Sequence, residues 1–319
     1  MNVSKEFTKE EMTGLMERST LKAAGEVAFT WGVILAAMGI AIVWTNPFTI
    51  ALAWLIVGAR QLALAILMHD LSHYSMFKSK RSNQLVGQWL CAYPMLLDLE
   101  KYRAYHLRHH SHTGSDKDPD LYLVNMYPTT EKSLIRKFGR DLIGITGVKS
   151  YIGLAMMNMG LLEYELGGAV VKLHPGTTKS EQILSLIKAW TGPFLVNTVL
   201  FIGFYLLGKP WLFPLVWLWP LLTSSMFFLR IRSIAEHGVT PDRTNPLQNT
   251  RTTIASWYQK LLFAPHNVHY HLEHHLLMTV PSYNLPAMHE LMKKKGLLKD
   301  ALVEESYWKV MKQAMSKAT

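Results

Sequence analysis

Four long runs of apolar residues dominate the chain. They cover about 27–44, 47–68, 190–207 and 211–229. Each approaches the roughly 20 residues that a helix needs to cross a bilayer core. The first and second runs are joined by Thr45-Asn46-Pro47, and the third and fourth by Gly208-Lys209-Pro210. The pattern predicts an all-α membrane protein: four transmembrane helices in two hairpins, with a helical cap between and after them. A weaker run, 142–168, carries Lys149, Glu163 and Glu165 and is expected to lie at the interface or outside the membrane. The first 25 residues are polar and lack the features of a signal peptide. Phe7, Leu15 and Met16 mark them as a short interfacial helix or a solvated tail. The expected organisation is an N-terminal segment 1–26, a membrane domain 27–295 and a C-terminal tail 296–319.

Two tight connections put both termini and the long polar segment, about 70–185, on one side. Lys5, Lys9, Arg18, Lys22, Arg230 and Arg232 flank the spans there, and the far side shows little beyond Lys209. By the positive-inside rule the charged side is cytoplasmic. Within the second span, Arg60-Gln61 must face protein or water. The pair is read as a packing contact or as a contact with a polar substrate group.

Composition narrows the class. Of 319 residues, 49% are hydrophobic and 18% charged, against about 25% charged in soluble domains. The single cysteine, Cys91, excludes an intramolecular disulfide framework and any four-cysteine metal site. The formal charge of +10 comes with no zinc-finger spacing or dense basic stripe, so it points to a membrane surface or an acidic partner, not to nucleic acid.

The chemistry lies in 14 histidines, most of them clustered. His69 and His73 are spaced i, i+4. His106, His109 and His110 are spaced i, i+3, i+4, and His271, His274 and His275 repeat that spacing. Each set shares one helix face. All three lie on the deduced cytoplasmic side, which was inferred without them. Neutral imidazole is the common ligand of iron, copper, zinc and nickel. Eight in register exceed the three or four that one zinc takes, and two adjacent metals fit better. Spacing does not select the element. His237, about two turns past the fourth span, is a ninth candidate. His112 falls off the face of its cluster and reads as outer-sphere or solvated. His266 and His269 read as exposed loop residues, one of them within reach of a ligand. His174 and His289 receive no role. Ligating histidines usually donate their second N–H to a carboxylate or carbonyl. The candidates are Asp70, Glu236, Glu273, Asp116 and Asp118, with Asp118 foremost.

These motifs and their setting resemble the membrane fatty acid desaturase superfamily. Tyr105 to His110 leads into Asp116-Lys117-Asp118-Pro119, and His271 to His275 leads into Val280-Pro281-Ser282-Tyr283-Asn284-Leu285-Pro286. The resemblance covers about 27–295. It implies a non-haem di-iron site with His69, His73, His106, His109, His110, His271, His274 and His275 as ligands, and His237 as the extra histidine that some members carry. It also implies dioxygen as co-substrate, a lipid or fatty acyl substrate, and two electrons from an external donor such as a ferredoxin or a small haem protein. The absence of a fused haem domain and the His271 that begins the third box speak against front-end desaturases. Three residues between His69 and His73 are as in acyl-lipid desaturases. Carotenoid hydroxylases and ketolases share much of the pattern and stay open. A metal carrier would hold its ligands at mid-bilayer, and a di-haem carrier would need axial histidines on facing spans. The histidines cluster on one membrane side, which weighs against the metal carrier or transporter as the alternative of another class, and the di-haem carrier stays as a third reading.

Overall fold

A computed structural model describes residues 3–167, 170–173 and 176–317, so His174 lies outside the described residues. The chain opens with α1 (Lys9–Leu15), α2 (Thr20–Val43) and α3 (Pro47–Ser72), then α4 (Lys80–Val86) and α5 (Leu99–His112). Next come α6 (Leu121–Val124), α7 (Glu131–Leu142), α8 (Ile145–Asn158) and α9 (Lys179–Leu206). A π-helical turn (Pro214–Leu218) leads into α10 (Trp219–Leu222) and α11 (Ser224–His237). Short helices α12 (Trp257–Leu262), α13 (His271–Leu276), α14 (Leu285–Lys294) and α15 (Tyr307–Ala314) complete the chain. Among the described residues four helical runs are long and apolar enough to cross a membrane: Lys9–Val43, Pro47–Ser72, Lys179–Leu206 and Pro214–His237.

α3 is the central element. Asn46 caps it in a reciprocal capping box with Thr49, and Pro47 fills the first turn, where no intrahelical donor is needed. Its 26 residues extend about 39 Å, against a bilayer core of about 30 Å. The surplus is its last two turns, which hold His69. Its apolar residues Val57, Leu64, Leu67 and Leu71 pack with Ile34 and Met38 of α2 and with Val216 and Trp217 of the π-helical turn. α9 is peripheral and leaves Phe194, Val199 and Leu206 exposed.

The fourth run is not one continuous helix. It breaks at Thr223, whose hydroxyl donates to Trp219 O and accepts from Trp54 Nε1 at 2.7 Å. Close backbone approach at this break depends on small residues. A Cβ on Gly147 of α8 would sit 2.3 Å from the carbonyl oxygen of Leu222. Backbone cannot yield there as a flexible side chain can. Gly147→Val is expected to push α8 off α10 and destabilise the protein by about 1–3 kcal/mol, read as a lower Tm in detergent.

The helices outlast the apolar runs at the charged end. α9 begins at Lys179, where Thr178 and Glu181 form a capping box, and α11 continues to His237, with Arg232 paired to Glu236 one turn on. The two chain ends also differ from a solvated tail. Val3, Phe7 and Leu15 are buried against Val280, Leu285, Met288 and Met292, and only Met16 of the three marker residues is exposed. At the other end, Val310, Met311 and Ala314 of α15 pack on Leu134 and Ile234. A two-residue parallel pairing joins β1 (Thr252–Thr253) to β2 (Val303–Glu304) beside them. The described part of the tail, 296–317, is thus packed onto the domain.

Candidate metal centre

Four helix ends converge at the charged end of the bundle. α3 delivers His69 in its last turn and His73 as its C-cap. The second half of α5 delivers His106, His109 and His110, α11 ends on His237, and α13 delivers His271, His274 and His275. The i, i+3, i+4 spacing works as the sequence predicts: on α5 and α13 all three rings turn to one side.

The rings form two adjoining groups. In the first, His69, His73, His106, His110 and His274 bring their donor atoms within 4.8 Å of one another. His110 Nε2 lies 2.9 Å from His106 Nε2 and 3.1 Å from His274 Nε2. In the second, His275 Nε2 lies 3.3 Å from His109 Nε2 and 3.1 Å from His271 Nε2, and His271 Nε2 lies 2.8 Å from His237 Nε2. A metal–nitrogen bond of about 2.1 Å places neighbouring ligands about 2.9–3.4 Å apart at octahedral to tetrahedral angles. Four of these five spacings fall in that range, and the one between His271 and His237 lies just below it. His69 Nε2 and His73 Nε2 are buried and have no hydrogen-bond partner. Buried polar atoms rarely remain unpaired, and two orphaned imidazole nitrogens facing three others fit a cation between them.

Electrostatics favour the ligating form. Burial, followed by mutual repulsion among the rings, holds His106, His110, His271, His274 and His275 well below the usual imidazole range. Burial, with Arg103 next, takes His73 down to about 3. Neutral imidazole is the species that binds metal. His109 moves the other way. Burial pushes it down, but Asp120 and Asp118 outweigh that and raise it.

The outer contacts explain which nitrogen points inward. His69 Nδ1 donates to Asp70 Oδ1 at 2.7 Å, and His109 Nδ1 donates to Asp118 Oδ1 at 2.7 Å. Asp118 is itself fixed by the amides of Gly114 and Asp120. Each contact leaves Nε2 as the inward donor atom. Asp118→Asn is expected to weaken metal binding by about 10–100-fold, measured by titrating stripped protein with metal and comparing retained metal per chain.

Among the described residues, none of Glu273, Glu236, His112 and Asp116 pairs with the outward nitrogen of a box histidine. Glu273 does not reach a box histidine. It accepts from His289 Nδ1 at 2.5 Å and from the Thr252 hydroxyl, tying α13 to α14 and β1. Glu236 accepts from Arg232 Nε at 2.6 Å, and its second oxygen lies 3.7 Å from His271 Nε2, inside the cluster itself. His112 makes a 3.1 Å contact with Arg108 O on its own helix. Asp116 is exposed, and no contact joins it to the cluster among the described residues. His266 and His269 are not exposed: His269 is buried, and His266 contacts Thr30 Oγ1 at 2.9 Å. Sequence reasoning missed Thr113, 3.3 Å from His275 Nδ1, and Asp120, which takes the Tyr105 hydroxyl and lies 3.5 Å from His109 Nδ1.

One opening borders the cluster, and a second begins one helical turn from it. A polar one, lined by His110, His275, His112 and Arg243, opens beside the rings. The other is an apolar cavity of about 160 Å³ between α3, α8 and α11, lined by Gln61, Ala65, Tyr151, Leu221 and Leu229. Ala65 is one turn before His69 on the same face of α3.

Residues 45–306 match the family model described as "Fatty acid desaturase". The chain is 25% identical to the sn-1 oleoyl-lipid 12-desaturase of Synechocystis sp., over 93% of this chain and 83% of that protein. It is 24% identical to the sn-1 acyl-lipid omega-3 desaturase (ferredoxin) of Nostoc sp., over 75% and 66%. A β-carotene ketolase of Paracoccus sp. is 25% identical over 75% and 76%.

Proposed function

The chain belongs to the fatty acid desaturase family, and from that premise we propose that it introduces a double bond into a fatty acyl chain, using dioxygen and two electrons from an external donor. The observation that carries this reading is the convergence of nine imidazoles, with few carboxylates, one helical turn along α3 from an apolar cavity. His69, His73, His106, His110 and His274 would hold one iron, and His109, His237, His271 and His275 the other. When bound, the pair of irons supplies the oxidising power needed to break unactivated C–H bonds. The reaction balances as one –CH2–CH2– unit, one dioxygen, two electrons and two protons giving one –CH=CH– unit and two waters.

The chain's own residues bind, orient and exclude. The cavity wall at Ala65, Leu221 and Leu229 accepts methylenes and keeps water from the reacting carbons. Asp70 and Asp118 hold two rings in one tautomer and one orientation. The polar opening beside His110 and His275 is the side from which electrons enter. A ferredoxin fits as donor, since a relative carries that word in its name and an acidic carrier suits a chain of charge +10. The histidine end and both termini lie in the cytoplasm, following the basic residues that flank the spans.

The test is expression in a host with saturated and monounsaturated lipids, with total acyl chains analysed by mass spectrometry. The expected product has two hydrogens fewer than its precursor. A product that gains an oxygen atom instead would replace desaturation by hydroxylation or ketolation, in line with the carotene-ketolase relative.

A further inference from the structure

Arg60 takes no part in the metal centre. It is nine residues from His69 on the same helix, two and a half turns, so it faces the opposite side of α3. There it is buried to 2% exposure, donates through Nη2 to Leu261 O, and has no carboxylate within ion-pair distance among the described residues. Its Nε is buried without a partner. A buried guanidinium with one neutral acceptor and no counter-ion is costly to hold.

The guanidinium lines a pocket of about 380 Å³ with Lys22, Lys260, Phe29, Glu26 and Tyr283. Both lysines are exposed and neither is in an ion pair among the described residues; Lys22 Nζ stands 5.3 Å from the centroid of the Tyr283 ring. The acidic member, Glu26, is engaged by another lining residue: its Oε2 lies 3.4 Å from His266 Nδ1 and also accepts from the Ser282 hydroxyl. Three cations therefore face one occupied carboxylate. The surroundings are those of a membrane boundary. Lys22 is in the first turn of the spanning helix α2, Phe29 is 58% exposed two turns further in, and Trp257, 78% exposed, projects from the helix that carries Lys260. Exposed tryptophan beside lysine marks the headgroup level of a bilayer.

We propose that Lys22, Arg60 and Lys260 form a binding site for the phosphate headgroup of an anionic membrane lipid, separate from the acyl cavity beside the metal centre. The phosphate sits between the two lysines with Arg60 as the inner wall, and the acyl chains run along the exposed face of α2 past Phe29 and Ile40. The site is on the far face of α3 from His69, so its occupant is a resident lipid and not the chain being oxidised.

The test uses full-length protein, delipidated in detergent, with native mass spectrometry to count bound lipid. The probes are dioleoyl phosphatidylglycerol, dioleoyl phosphatidylcholine and sn-glycerol 3-phosphate. Wild type is expected to retain one phosphatidylglycerol with at least about 10-fold preference over phosphatidylcholine. The pair Lys22→Gln and Lys260→Gln is expected to lose that preference while metal per chain is unchanged, and the pair Lys22→Arg and Lys260→Arg to keep it. Equal retention of the two lipids, or unchanged retention in the glutamine pair, overturns the proposal. Equal competition by glycerol phosphate at matched concentration overturns the lipid assignment in favour of a soluble phosphate.

Discussion

Replacing His110 by alanine is expected to abolish product formation, by at least about 100-fold, while the protein still inserts in the membrane. His110 Nε2 lies within about 3 Å of both His106 and His274, which come from different helices. Removing it takes away one of the five proposed ligands of the first group and opens a void beside the polar entrance. An outer contact to a metal ligand is already worth about 10–100-fold in affinity or activity, and a ligand itself should exceed that. Insertion should persist because α5 is not among the spanning runs. Metal per chain, product yield and membrane fraction are the three readings. His112→Ala is the milder companion: among the described residues its ring contacts Arg108 O on its own helix and no box histidine, so metal should be close to wild type and turnover should fall far less than in His110→Ala. Full turnover in His110→Ala would remove the histidine cluster from the chemistry.

The features legible in the sequence are those set by local spacing. Four apolar runs and three histidine boxes each depend on residues within one helix, and a period of 3.6 is enough to place them. The amphipathic α15 was open to the same reading, since Tyr307, Val310, Met311 and Ala314 fall at i, i+3, i+4 and i+7. Pairings across the fold were not legible. Glu273 sits inside a box and invites assignment to a neighbouring histidine, yet its partners are Thr252 and His289, 21 and 16 residues away. A short helix turned so that three histidines face the centre must point the residue between them elsewhere, and a buried carboxylate then needs donors from other elements. Asp118 differs because the tight turn after α5 folds it back on His109 nine positions earlier, a local event that an Asp-Lys-Asp-Pro sequence suggests. Arg60 was visible as an anomaly in an apolar run, but which face of α3 it occupies matters only once the histidine face is known.

Ala65→Phe should separate the metal centre from the substrate cavity. Ala65 stands one turn before His69 and lines the 160 Å³ cavity. The extra ring atoms fill most of a space of that size, one helical turn from His69. The expected result is normal metal per chain with product reduced by about 100-fold or more, because a carbon held even about 1 Å out of place costs about that factor. Overpacking would also cost about 1–3 kcal/mol, so a Tm measurement must show that the variant remains folded. Leu154→Phe at the α8 wall of the same cavity is a graded companion: by narrowing the space further from His69, it should reduce turnover less and shift preference towards shorter or straighter acyl chains. If Ala65→Phe turns over normally, the substrate reaches the histidines by another route, and the polar opening at His110 and His275 becomes the path to test.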